Sequence, residues 1–431
     1  MSTASSYGGA VRRYERTGLL LTHAYRPQCA AEERRHTPEC DTRSTKLTLF
    51  ALALGTFAIG TGEFGSNGII QLFSSDLGVT IPQATYAVTA YAVGVMIGSP
   101  TITILAARQN RKQLLLGLVL LFLVGNLLSA IAQNLGMLIA ARFITGTVQG
   151  AYFGAGAVVA AYVYGPGKGG KAFATVMGGL TVATIIGSPL GTFLGQHVGW
   201  QALYVVVAAI GLCAGAAVLA WVPTTRDLDG GSVSQELGAL RRPMVWVVMT
   251  VAALGIASIF AVYTFIGPFV TDAALAGESL IPIALAVFGV GMAVGNQIGG
   301  RLADRYEYRG LVIGYGGVLL FLITIGAAGG TTWVLLAALF GVGATMMLAI
   351  PTIQVLLTRY APEAPTLMGA LNLASLNLAN ALGAIGGSIT LSAGLGTLST
   401  VWAGLVLTVT GLLLFAATVP RVAPPVRAAV A

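Results

Sequence analysis

From Leu47 onward, long apolar runs alternate with short polar breaks. Twelve runs recur, at 47–70, 84–107, 114–132, 137–164, 172–194, 202–222, 244–270, 281–300, 311–328, 332–355, 366–391 and 398–419. Each is close to the roughly 20 apolar residues that an α-helix needs to cross the hydrocarbon core of a bilayer. The runs are continuous, whereas a membrane β-strand alternates residue by residue. The pattern predicts an all-α polytopic membrane protein with twelve transmembrane helices.

Composition agrees. The chain has 431 residues, 56% hydrophobic and 9% charged, with a mean hydropathy of +0.83. A soluble domain carries about 25% charged residues, so this chain is not an ordinary soluble enzyme. The net charge of +8 raises the question of a nucleic-acid partner. The placement of the charges answers it. Of the 23 lysines and arginines, only Arg142 falls inside a run, and the rest lie in the termini and alternate loops on one side. That is the positive-inside pattern, which puts both termini in the cytoplasm. Three cysteines, Cys29, Cys40 and Cys213, make no disulfide framework.

Residues 1–45 lack an apolar core and are expected to be a disordered cytoplasmic tail. Cys29, His36 and Cys40 within it match no standard zinc spacing. The rest divides into a six-helix half over 46–222, a charged cytoplasmic linker over 223–243, a second six-helix half over 244–420, and a tail over 421–431. The basic loops after runs two and eight align at an offset of 197 residues, so the halves read as a repeat, a common transporter plan.

The loop after run eight reads Gly300-Arg301-Leu302-Ala303-Asp304-Arg305-Tyr306-Glu307-Tyr308-Arg309. It resembles the signature loop of the major facilitator superfamily, G-x-L-A-D-R-x-G-R-R, departing at Glu307 and Tyr308. In the first-half copy Ala107 stands where that family has aspartate. Asp304 with Arg305 and Arg309 suits a gating latch, since a carboxylate at a helix end pairs with arginines and with a neighbouring helix N-terminus. In run four, Arg142-Phe143-Ile144-Thr145-Gly146 resembles the superfamily's R-x-x-Q-G element. In run five, Gly187-Ser188-Pro189-Leu190-Gly191 resembles the antiporter element G-P-x-x-G, with Ser188 inserted. Gly187, Pro189 and Gly191 are therefore gating candidates, on a face smooth enough for close helix approach. Packing alone would explain the same stripe.

Glu63 is the only carboxylate inside any run. An ionisable group at mid-membrane costs at least about 2.5–3.5 kcal/mol and is a functional candidate by default. Glu63 lies about 24 Å along its helix from the cytoplasmic end, and Arg142 about 8 Å in from the opposite face. Both fall in the outer half, where a charged pair can couple proton movement. The stretch around Glu63 resembles run one of the twelve-span drug:proton antiporters, close to the arabinose-efflux and chloramphenicol-efflux permeases. Asn67, Tyr91, Gln149, Tyr152, Tyr263, Asn372 and Asn377 are candidates to line a substrate cavity, with helix–helix hydrogen bonding the competing role for each.

The segment Gly165-Pro166-Gly167-Lys168-Gly169-Gly170-Lys171-Ala172 nearly fits a phosphate-binding loop. Ala172 replaces the magnesium-holding hydroxyl, and the loop follows a membrane run rather than a strand. No cofactor or metal is expected. The sequence thus predicts a monomeric, proton-coupled exporter in the cytoplasmic membrane, acting on a small neutral or cationic organic compound such as a drug or sugar. Its partners are that compound, protons and the bilayer, not nucleic acid. The alternatives are an importer or facilitator on the same fold, or a non-transporting receptor.

Overall fold

The computed structural model describes residues 42–106, 108–165, 169–224, 238–306, 308–362 and 365–419. Residues 1–41 and 421–431 of the expected tails and most of the linker lie outside them, as do Ala107 and part of the glycine-rich loop after run four, whereas residues 42–45, expected in the disordered tail, begin the first helix. The long helices are α1 Thr42–Gly68, α2 Ile81–Leu105, α3 Arg111–Ala130, α4 Leu135–Tyr164, α5, α6 Gln201–Trp221, α7 Pro243–Tyr263, α8 Ile281–Arg305, α9 Arg309–Ala328, α10 Thr332–Tyr360, α11 Pro365–Ser392 and α12 Ser399–Thr418. α5 is composite: Gly169–Val182, a π-turn over Ala183–Gly187, then Ser188–Val198. Each matches one apolar run.

Eleven helices are long and apolar enough to cross a membrane on length and composition. The other is α2, 25 residues long, which packs against α4 within its half and against α11 of the other half.

The π-turn in α5 has a local cause. Pro189 has no backbone N–H, and its ring crowds the carbonyl four residues back. The helix widens by one residue per turn just before it, and Ser188 N–H bonds the Ala183 carbonyl.

The repeat is visible in the backbone. A side chain at Gly94 would strike the Phe143 carbonyl, and one at Gly98 would strike Thr147, so α2 and α4 touch backbone to backbone. Displaced by 197 residues, Gly291 meets the Phe340 carbonyl and Gly295 meets Ala344, joining α8 to α10. The kinks repeat as well. α1 breaks at Ile69 (φ −108°, ψ 10°), and α7 breaks at Phe265 (φ −109°, ψ 20°), 196 residues later. Each half holds its own apolar core, one built on Leu52, Leu115, Phe153 and Val207, the other on Ile256, Leu322, Leu339 and Ile353. Phe64 of α1 crosses over and joins the C-terminal core.

Candidate functional site: a buried polar cluster in the N-terminal half

Two ends of the bundle can be told apart: the terminal end, where α1 starts and α12 finishes, and the far end. Glu63 lies about 8 Å from the far end of α1, and Arg142 about 10 Å from the far end of α4. They are 6% and 1% exposed.

They do not form an ion pair. Gln149 of α4 donates from Nε2 to Glu63 Oε2 at 2.8 Å. The Arg142 guanidinium lies over the Tyr91 ring, 4.3 Å from its centroid, and 5.6 Å from that of Tyr204. Such cation–π contacts are worth about 2 kcal/mol when desolvated. Arg142 Nε and Nη1 are buried without a hydrogen-bond partner. So are the Tyr91 hydroxyl and the carbonyl oxygens of Gln149, Asn67 and Asn126. Asn67 donates to the Glu63 backbone carbonyl at 3.5 Å, and Asn126 to that of Phe122 at 2.8 Å. Ser66 pairs with the Tyr204 hydroxyl at 3.1 Å. The result is one carboxylate, one guanidinium and several unspent donors and acceptors in a dry interior. Buried polar groups are normally satisfied, so orphans gathered in one place mark a site that takes another occupant.

The other predicted residues divide. Tyr152 is fully buried with its hydroxyl unpartnered and its ring against Gly55. It borders a void of about 10 Å³, at the lower limit for one water, not a substrate-sized cavity. Asn372 donates to Gln354 at 2.9 Å and Asn377 to the Leu373 carbonyl at 3.0 Å, and neither bonds the Glu63 cluster among the described residues. Tyr263, expected in the cavity, instead joins the halves: its hydroxyl pairs with Ser188 at 3.0 Å. A groove of about 510 Å³ does exist, between α2 and α4, lined by Tyr86, Thr89, Val93, Phe143 and Ile144. None of the predicted cavity residues lines it.

The gating candidates also shift. The side chains of Asp304 and Arg305 lie outside the described residues, and Arg309 sits over the Tyr306 ring at 4.5 Å. Gly187, Gly191 and Gly195 turn to their own half, against Thr61, Leu203 and Ile69. Gly289 of α8 does face the other half: a side chain there would come within 2.6 Å of the Thr184 carbonyl beside the π-turn.

Three hydrogen bonds join the halves toward the far end. Gln71 donates to Thr271 at 3.0 Å, Gln196 to the Glu278 carbonyl at 2.9 Å, and Thr85 pairs with Ser388 at 2.6 Å. Gln71 also meets Gly267, its counterpart at the 196-residue offset of the kinks. Repeat-related residues that touch lie near the pseudo-twofold axis.

The model of the Major Facilitator Superfamily matches residues 52–384 and 276–430. The inner membrane transport protein YdhP of Escherichia coli K12 is 37% identical over 355 residues, 81% of this chain and 90% of that protein. The chain belongs to the Major Facilitator Superfamily. It is a multi-pass membrane transporter, not an enzyme. Within the superfamily it is also similar to the chloramphenicol resistance protein of Streptomyces lividans, at 32% identity over 371 residues, 85% of this chain and 95% of that one. The same fold occurs in the crystal structure of a bacterial homolog of the human lysosomal transporter Spinster, with a TM-score of 0.62, 16% identity, and coverage of 87% of this chain and 95% of that chain.

Sequence reasoning missed three residues of this transporter's site. Tyr204, near the start of α6, looks like an interfacial aromatic, yet it flanks Arg142. Ser66 is one of many span hydroxyls. Gly289 is legible only in part, lying two residues before the Gly291, Gly295, Gly299 series.

Proposed function

We propose that the chain is a proton-coupled antiporter that exports a small neutral or cationic organic compound across the cytoplasmic membrane. One observation carries this: a carboxylate, Glu63, buried in a spanning helix, held by Gln149 and not by the only span arginine. A buried carboxylate without an ion-pair partner is poised to take up and release a proton as its surroundings open and close. Arg142, held on aromatic faces, is free to approach the carboxylate in another conformation and favour its ionised form. Substrate and proton then compete for Glu63, which makes exchange obligatory.

With the basic loops cytoplasmic, the far end faces outward, and hydrogen bonds join the two halves on that side. Rocking of one half against the other about this closure fits transporters built from repeats. The relative named for chloramphenicol resistance supports export. One acid and one base in the spans make a polyanionic substrate a poor fit.

The test is a compound screen with the purified protein in liposomes holding a pH gradient, repeated with Glu63→Gln. The variant keeps the shape and removes the titratable group. Gradient-driven transport should fall to the level of empty liposomes while substrate binding is partly kept. Uphill transport at the native rate would sink the assignment.

A further inference from the structure

Three helices lose regular α geometry toward the far end of the bundle. α1 ends at Gly68 before the kink at Ile69, α7 ends at Tyr263 before the kink at Phe265, and α5 passes through its π-turn just before Ser188. Tyr263 touches all three. Its hydroxyl is 3.0 Å from Ser188 Oγ and donates to the Phe64 backbone carbonyl at 3.5 Å. Its ring stands edge-on to Phe64, with centroids 5.6 Å apart, and 4.9 Å from Phe288 of α8. Tyr263 is 1% exposed and Ser188 fully buried.

This contact differs from the other bonds between the halves. Gln71–Thr271 and Gln196–Glu278 are at least partly exposed, so water replaces them easily. Thr85–Ser388 is buried but joins α2 to α11, away from the carboxylate helix. Only Tyr263 bonds the residue next to Glu63. It also explains the departure of the α5 element from the G-P-x-x-G pattern, because the inserted Ser188 supplies the second hydroxyl.

We propose that Tyr263 is a positioning residue of the transport cycle. Through its hydroxyl it ties the carboxylate helix α1 to the π-turn of α5, and so converts a shift of α1 at Glu63 into release of the far-end closure. The role given to Glu63 rests on the antiporter function above; the closure role of Tyr263 does not.

The test is a distance measurement between spin labels at Ser75→Cys and Ser392→Cys, exposed far-end positions of the two halves, in full-length protein with Cys29, Cys40 and Cys213 changed to serine. Tyr263→Phe keeps the ring between Phe64 and Phe288, so the fold is retained. It should raise the ratio of far-end-open to far-end-closed populations about fivefold, the effect of one net hydrogen bond. Ser188→Ala removes only the shared Ser188–Tyr263 bond and should shift the ratio no further than Tyr263→Phe, and the double variant should match Tyr263→Phe, because the serine bond is already absent there. Glu63→Gln should move the distribution in the native background and not in Tyr263→Phe. An unchanged distribution in Tyr263→Phe, or additive effects in the double variant, would overturn the proposal. If Glu63→Gln moves nothing while Tyr263→Phe does, the proton-coupling role of Glu63 fails and the closure role of Tyr263 stands.

Discussion

The two halves share a backbone and differ in chemistry. Arg142 and Gln149 of α4 have Leu339 and Met346 as counterparts in α10 at the 197-residue offset, both fully buried. Tyr91 of α2 has Phe288 of α8, the same ring without the hydroxyl. At the 196-residue offset of the kinks, Glu63 has Ile259. The glycine contacts that set α2 on α4 and α8 on α10 are nevertheless the same. Close backbone packing depends on glycine positions and survives wholesale change of the larger side chains. Among the described residues, buried charge is therefore confined to one half.

The sharpest way to break this comparison is to make the N-terminal half resemble its counterpart. Arg142→Met removes a buried cation whose Nε and Nη1 have no partner. Replacing buried charged groups with well-packed apolar ones is often neutral or stabilising by about 1–4 kcal/mol. Transport should be abolished while the thermal midpoint in detergent holds or rises. A variant that unfolds would show that Arg142 holds the half together and has no role in coupling.

That outcome bears on what the sequence makes legible. Twelve apolar runs locate the twelve helices because lipid demands about 20 apolar residues wherever a helix faces it. Glu63 and Arg142 stand out because an ionisable residue in a span is costly. Their partners do not, because helix periodicity leaves open which of several faces meets which neighbour. Gln149 against Glu63 and Tyr204 against Arg142 are tertiary facts. The α5 stripe shows the same limit: Gly187, Gly191 and Gly195 lie on one face, as their spacing requires, but that face looks into its own half.

A second prediction uses that orientation. Gly289→Leu places a side chain against the backbone of Thr184 and Ile185, which cannot move aside without parting the halves. The protein should accumulate in the membrane while exchange stops and far-end spin-label distances lengthen. Gly191→Leu meets instead the tip of the Leu203 side chain within one half. It should cost about 1–3 kcal/mol of overpacking, seen as a lower thermal midpoint, with alternation retained. Equal loss of exchange at both positions would remove the distinction.

Smaller effects follow at the terminal end, where the halves differ again. The loop after α8 keeps Asp304, and the loop after α2 has Ala107. If Asp304 latches that end shut in the outward-open state, Asp304→Asn should increase labelling of cysteines placed in the cytoplasmic vestibule. No substitution in the loop after α2 should match it. Unchanged transport and labelling would leave the loop a topological signal only.

The smallest effect sharpens the comparison most directly, because each half packs a tyrosine against a glycine of its first helix. In the C-terminal half Tyr315 of α9 presses on Gly255 of α7, and its hydroxyl donates to the Val251 carbonyl at 3.0 Å. In the N-terminal half Tyr152 of α4 presses on Gly55 of α1, and its hydroxyl has no partner. Removing a satisfied buried hydroxyl forfeits about 0.5–1.5 kcal/mol, whereas removing an orphaned one ends a desolvation penalty. Tyr315→Phe should therefore lower the thermal midpoint in detergent, and Tyr152→Phe should hold or raise it. Transport should respond in the opposite order. Tyr315 lies in a packed apolar core, while Tyr152 sits in the polar half, where an unspent hydroxyl is available to another conformation or to substrate. If Tyr152→Phe destabilises as much as Tyr315→Phe and leaves transport intact, the hydroxyl is structural, and the polar half loses one of the groups that set it apart.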